Sequence, residues 1–106
     1  MAIVASKKPS NYVHVVFNNG AHDSVGGQPT VGLKIDLPAI AKAVGYTAAY
    51  SVSTKEQLND QLKQLSVPQG PILLEVKVKK GNRKDLGRPT TTPIQNKEAL
   101  MAFLNK

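Results

Sequence analysis

The stretch YVHVVFNNGAHDSVGGQPT, residues Tyr12–Thr30, decides how this chain is organised. Its first six residues are mostly β-branched or aromatic, which is the composition of a buried strand. The following loop, Asn18–Thr30, is rich in glycines, hydroxyls and amide side chains. Ligands of open α/β sheets bind outside the carboxyl ends of the strands. We therefore expect a binding site in this loop.

Outward from this stretch, the sequence alternates between helix and strand signals. Asp36 can cap a helix that has Pro38 in its first turn. Thr54 and Gln57 have the spacing of a capping box. The predicted elements after the loop are a helix from Asp36 to Gly45, a strand over Ala48–Val52, a helix over Lys55–Leu65, a strand over Ile72–Val78, an irregular segment from Lys80 to Gln95 and a helix capped by Asn96.

This alternation predicts an α/β fold with three layers, α/β/α, around a parallel sheet of about three strands and three helices. We expect a single domain over residues 1–106 that forms part of a larger α/β unit, because three strands leave the sheet edges unprotected. Glu75 and Lys77 indicate that one face of the last strand meets solvent. The leucines and phenylalanine expected to face the core from the helices are Leu58, Leu62, Leu65, Leu100, Phe103 and Leu104.

The chain is strongly basic, with a formal net charge of +7. Six of the twelve positions in Lys77–Arg88 are Lys or Arg, but no aromatic residue is interleaved for base stacking. This disfavours nucleic acid as the partner, whereas small anionic substrates and phosphate cofactors suit the charge. There is no cysteine, which fits a cytoplasmic protein, and no apolar run long enough to span a membrane.

Two segments point to a family. NNGAHDSVGGQPT at residues 18–30 and DLGRPTTTPIQNKEAL at residues 85–100 resemble the phosphonopyruvate decarboxylase family of thiamine-diphosphate enzymes. The resemblance covers essentially the whole chain after Lys8. It implies that the chain is the carboxyl-terminal part of a thiamine-diphosphate-binding domain. Sulfopyruvate decarboxylases are similar enzymes with a different substrate.

The resemblance also implies roles for the loop residues. Asn19 would bind Mg²⁺ through its side-chain oxygen and Ala21 through its backbone carbonyl, with Gly20 between them in the cofactor site. Both are hard oxygen ligands of the type that Mg²⁺ prefers. His22 and Ser24 would be catalytic, His22 as a proton relay. Ser24, Gly26, Gly27 and Gln28 would bind the substrate.

Family members begin their cofactor motif with Gly-Asp-Gly, which this chain does not contain. The resemblance therefore implies that the metal-binding Asp and the cofactor-activating Glu come from a missing N-terminal region or a partner subunit. We expect the isolated chain to lack catalysis and to oligomerise through its unpaired sheet edge.

In a complete enzyme, the implied reaction is the conversion of 3-phosphonopyruvate to phosphonoacetaldehyde and carbon dioxide, with thiamine diphosphate and Mg²⁺. Two other functions remain open: decarboxylation of sulfopyruvate or another 2-oxo acid, and a non-catalytic basic interaction domain. Individual residues also have simpler interpretations. Asn-Asn-Gly forms ordinary turns, His22 and Asp23 can be a loop hydrogen-bond pair, and Arg83, Lys84 and Arg88 can be a solvated charge run.

Overall fold

The computed structural model describes residues 1–65 and 69–105. The loop residues form two short strands and a 3₁₀ turn, and the other elements follow the alternation predicted from the sequence. In chain order the elements are α1 (Ala2–Lys7), β1 (Val13–Asn18), β2 (Ala21–His22), a 3₁₀ turn (Asp23–Val25), β3 (Gln28–Pro29), α2 (Leu37–Val44), β4 (Ala48–Val52), α3 (Lys55–Gln64), β5 (Ile72–Lys77) and α4 (Pro93–Leu104).

The central sheet has three parallel strands in the order β1, β5, β4. The last strand of the chain is therefore the middle strand, and it brings the carboxyl ends of β1 and β4 to the same edge. β5 is almost wholly buried, and its apolar run is typical of a strand covered on both faces. A second, two-stranded antiparallel sheet is formed by β2 and β3.

Helices cover both faces of the central sheet, as the α/β/α prediction requires. One face carries α1 and α2, whose alanines pack closely on the strands. The other face carries α3, which packs Leu58 and Leu65 against Val52, Leu74 and Val76. The buried residues on the α1 and α2 side are Ala5, Ala41, Tyr46, Ala49 and Leu73.

Side chains and glycines fix the ends of the two middle helices as predicted. Asp36 accepts a hydrogen bond from Ala39 N at the start of α2. Gly45 ends α2 in a left-handed conformation with a φ of 108°, which glycine adopts without a steric penalty. Thr54 and Gln57 form the predicted capping box of α3.

Two packing predictions, for α3 and β5, are wrong, and the helix α1 was not predicted. Leu62 does not face the core, because its side chain is half exposed. Glu75 does not meet solvent: it is 1% exposed, because both of its carboxyl oxygens have partners inside the fold. The short helix α1 has no side-chain cap that the sequence could reveal. It is held by Ala5, which is buried against the core.

The last helix also differs from its prediction. It begins at Pro93 and is capped by Thr92 rather than Asn96, because Thr92 and Gln95 form a capping box. No described residue of α4 is buried. Leu100, Phe103 and Leu104 are all exposed, contrary to the expectation that they face the core.

Among the described residues, no helix combines the length and the apolar character that crossing a membrane demands.

Candidate functional site

The loop that follows β1 is a compact hairpin. β2 and β3 pair Ala21 with Pro29 and His22 with Gln28, and the 3₁₀ turn closes the hairpin. A hydrogen bond from Gly27 N to His22 O, over 2.9 Å, stabilises the turn. Gly26 and Gly27 both have positive φ, 78° and 67°, so two consecutive left-handed residues make the reversal.

The side chain of Asn19 is held at both ends of its amide. Its Oδ1 accepts a hydrogen bond from Ala21 N at 3.0 Å, and its Nδ2 donates to Asp23 Oδ2 at 2.8 Å. These two contacts fix which end of the amide carries the oxygen. Asp23 thus positions Asn19, so its loop hydrogen bond is with Asn19 rather than with His22, the partner considered from the sequence.

The carbonyl of Ala21 lies on the same side as that oxygen. Ala21 is paired with Pro29. The residues next to this pair, Gly20 before Ala21 and Thr30 after Pro29, are joined by a hydrogen bond from Thr30 N to Gly20 O over 2.8 Å. The pair is therefore a non-hydrogen-bonded one, and Ala21 directs its own N–H and C=O away from β3. Since this N–H donates to Asn19 Oδ1, that oxygen lies on the same side of β2 as the Ala21 carbonyl.

Asn18 anchors the hairpin to the sheet. It is 6% exposed, and its Nδ2 donates to Glu75 Oε1 at 2.6 Å and to Gly32 O at 2.8 Å. Its Oδ1 accepts from Gly20 N at 3.1 Å. Ser51 completes the network by donating to Glu75 Oε2 at 2.6 Å. All three strands therefore contribute one polar side chain to a single network beneath the hairpin, in which Asn18 and Glu75 are buried and Ser51 is exposed.

The segment after β5 contacts the hairpin from its other side. Lys80 Nζ donates to Gly27 O over 2.7 Å, and Gly81 N donates to Asp23 Oδ2 over 3.2 Å. The sequence analysis missed both contacts. Only the clustering of basic residues after Ile72–Val78 pointed to this segment, and sequence spacing cannot show where an irregular segment turns.

A cleft of about 390 Å³ opens at the carboxyl edge of the sheet, beside the polar network. Its walls combine apolar residues with two lysines and the Glu75 carboxyl, a mixture common in small-molecule sites. The lining residues are Leu33, Lys34, Ile35, Asp36, Pro38, Ser51, Glu75 and Lys77.

The structure brings all predicted site residues together on one hairpin. His22, Ser24, Gly26 and Gln28 are exposed on it, and Gly27 is half-buried under Lys80. Within residues 1–65 and 69–105, no three His, Cys, Asp or Glu side chains converge as a metal site.

These features define a class of protein. Residues 2–76 match the family described as "Thiamine pyrophosphate enzyme, C-terminal TPP binding domain", and the chain belongs to this family. The predicted family and α/β fold are thereby confirmed.

Particular relatives are also similar to the chain. It is 38% identical to a phosphonopyruvate decarboxylase of Streptomyces viridochromogenes over 98% of its length and 39% identical to one of Streptomyces hygroscopicus over 88%. A sulfopyruvate decarboxylase of Methanosarcina acetivorans is 30% identical over 94% of the chain. The alignments cover 26%, 23% and 25% of these relatives, so the chain spans about a quarter of their length.

Proposed function

We propose that this chain supplies the Mg²⁺ and diphosphate half-site of a thiamine-diphosphate-dependent decarboxylase. The observation that carries the proposal is that Asn19 Oδ1 and the Ala21 carbonyl lie on the same side of β2, just after the end of β1. An amide oxygen and a backbone carbonyl fit Mg²⁺, which prefers oxygen ligands and is often shared with phosphates. Asp23 would keep the amide oxygen of Asn19 turned toward the metal.

The bound cofactor would supply the electron sink for loss of carbon dioxide. The chain's own residues would hold the cofactor and orient the substrate. Gly20, which we assign to the cofactor site, has a φ of 66°, and a Cβ on it would collide with the Leu33 side chain, so the turn between Asn19 and Ala21 needs a glycine. His22 and Ser24 are exposed on the hairpin, where they could exchange a proton with substrate. Ser24, Gly26, Gly27 and Gln28 would form the substrate side of the hairpin.

As the substrate we propose 3-phosphonopyruvate, which would yield phosphonoacetaldehyde and carbon dioxide. Two relatives at 38% and 39% identity carry the name phosphonopyruvate decarboxylase, which supports this choice. Sulfopyruvate is the second candidate, supported by the relative at 30% identity. Both are short 2-oxo acids with a second acidic group.

The chain would act together with further sequence, as part of an oligomer in the cytoplasm. Its matched relatives are about four times as long, which leaves room for the carboxylate of the metal site and for the rest of the cofactor pocket. This further sequence could lie in the same polypeptide or in a partner subunit.

The test uses the full-length protein and two readouts. Mg²⁺-dependent binding of thiamine diphosphate is measured by titration calorimetry, and release of carbon dioxide is measured with phosphonopyruvate, sulfopyruvate and pyruvate. Asn19→Ala should weaken cofactor binding by at least about tenfold, whereas Asn11→Ala, outside the site, should leave it unchanged. Equal cofactor affinity of both variants would contradict the half-site. Carbon dioxide release from none of these acids would contradict the decarboxylase.

A further inference from the structure

The segment that follows β5 carries a concentrated positive charge. We call Lys77–Arg88 the basic arm: it has six basic residues and one acidic residue, Asp85. Every residue of the arm is exposed. Its one described ion pair, between Arg83 and Asp85 at 3.5 Å, is exposed and therefore weak. Most of the positive charge of the arm faces solvent.

The basic arm is fastened to the hairpin at its start. Val78 N donates to Asn18 O over 3.0 Å, Gly81 N bonds the Asp23 carboxyl, and Lys80 Nζ bonds Gly27 O. Lys80 lies so close to the glycine turn that a Cβ on Gly27 would collide with its Nζ and Cε. The ammonium group is thus placed directly over the residues assigned to the substrate.

Lys80 still has capacity to bind an anion there. An ammonium group has three N–H donors, and the carbonyl of Gly27 uses one of them. Hydrogen bonds from a cation to an oxyanion are among the strong ones in proteins. Nearby backbone N–H groups of a glycine turn can add further donors.

The alignments to the three relatives extend over the positions of the arm. The match to the general family of thiamine pyrophosphate enzymes ends at residue 76, just before the arm. The sulfopyruvate decarboxylase aligns over 94% of the chain, and the phosphonopyruvate decarboxylases over 98% and 88%. The arm ends at Arg88, 18 residues before Lys106, so each of these alignments spans it.

From this placement we infer that the basic arm recognises the second acidic group of the substrate, and that Lys80 binds it directly. This group is the tetrahedral oxyanion at the end of a short 2-oxo acid, a phosphonate or a sulfonate. The inference rests on the proposed function. It agrees with the extent of the alignments: the general family match ends before the arm, whereas the matches to relatives whose names denote a pyruvate with an added acid group continue across its positions.

The experiment compares Lys80→Gln and Lys80→Arg with the unaltered full-length protein. Lys97→Gln, an exposed lysine of α4, is the matched control for loss of one charge. Binding of phosphonoacetate, a probe with the oxyanion but no reactive carbonyl, is measured by calorimetry. K80Q should weaken this binding by on the order of tenfold or more, K80R should restore most of it, and K97Q should not change it.

Two further measurements separate this inference from a structural effect and from the proposed function. Thiamine diphosphate affinity should be the same in K80Q and the unaltered protein, because Lys80 is not assigned to the cofactor. A parallel loss of cofactor affinity would show that Lys80 only shapes the hairpin and would overturn the inference. Unchanged phosphonoacetate binding by K80Q, in an unaltered protein that decarboxylates phosphonopyruvate or sulfopyruvate, would also overturn it. Absence of that activity would instead contradict the proposed function.

Discussion

Asn18 Nδ2 donates a hydrogen bond to Glu75 Oε1 over 2.6 Å and so joins β1 to β5 across 57 positions of sequence. Glu75 also accepts from Ser51 on β4. The carboxyl group is 1% exposed, and both of its oxygens have donors. The site hairpin is therefore supported by a satisfied polar network, since buried polar groups are tolerated when they are hydrogen-bonded.

We predict that Glu75→Leu destabilises the protein far more than Glu75→Gln. Leucine leaves one N–H of the buried Asn18 amide without its acceptor, at a cost of about 2 to 3 kcal/mol in the free energy of unfolding, whereas the exposed Ser51 hydroxyl can bond water instead. Glutamine can accept from Asn18 and donate to Ser51, so we expect a loss of about 1 kcal/mol or less. Urea unfolding measures both, with the exposed Glu98→Gln as the control. Similar losses for E75L and E75Q would contradict this account of the network.

Tyr46 makes stability fall at alkaline pH. Burial, and secondarily the nearby Tyr12, raise the pKa of Tyr46 above its ordinary value of 10.0. In the unfolded chain Tyr46 loses its proton near the ordinary value, whereas in the folded protein it keeps the proton to higher pH. The unfolded state therefore binds fewer protons above about pH 10, and the free energy of unfolding drops as pH rises through that range.

Tyr46→Phe should flatten this alkaline drop. At neutral pH the variant loses the contact between the Tyr46 hydroxyl and His14 Nδ1, 3.2 Å apart, so we expect it to be less stable by about 1 kcal/mol. Urea unfolding at pH 8 and at pH 11 gives the two differences, and the exposed Tyr50→Phe serves as the control. An alkaline drop of unchanged size in Y46F would show that other groups cause it.

Thr92→Ala should loosen α4 without unfolding the domain. Thr92 accepts a hydrogen bond from Gln95 N, and loss of an N-cap residue costs about 1 kcal/mol. Since no described residue of α4 is buried, the loss should appear as local opening. Hydrogen exchange at the amide of Asn96, which bonds Thr92 O, should become roughly fivefold faster. Thr90→Ala is the control, and an equal effect of both variants would contradict the assigned cap.

The outer edge of β1 should promote self-association of the 106-residue chain. β1 pairs on one side only within the described structure, and Phe17 on it is 70% exposed. Unpaired strand edges with apolar side chains recruit other chains. Phe17→Ser should therefore shift the sedimentation profile toward the monomer, whereas Val31→Ser, in an exposed loop, should not. A monomeric unaltered chain at tens of micromolar would remove the basis of this prediction.

The sequence predicted the sheet and the two middle helices because their signals are local. Asp36, Gly45 and the capping box at Thr54 act within a few residues of their own positions. The resemblance of residues 18–30 to one family also singled out the residues of the hairpin as a candidate site. Their binding roles remain predictions.

Except for the cap of α4, which the local pair Thr92 and Gln95 sets, the main errors concern interactions between distant segments. The charge of Glu75 suggested exposure, but its partners Asn18 and Ser51 lie on other strands. Leu100 and Phe103 have helical spacing that suggested a core face, yet nothing in the described chain packs on α4 closely enough to bury them. Lys80 could be placed on the hairpin only by the course of an irregular segment, which local propensity does not determine.

The order of the strands has a consequence for synthesis of the protein. β5 is the middle strand and supplies Glu75, so the contacts that β1 and the hairpin make with β5 cannot form until residue 77 has been made. Pairings between segments far apart in sequence form late and slowly. During translation, the hairpin therefore leaves the ribosome well before β5, the strand that anchors it. We expect the hairpin to become ordered late in folding, after β5 has emerged.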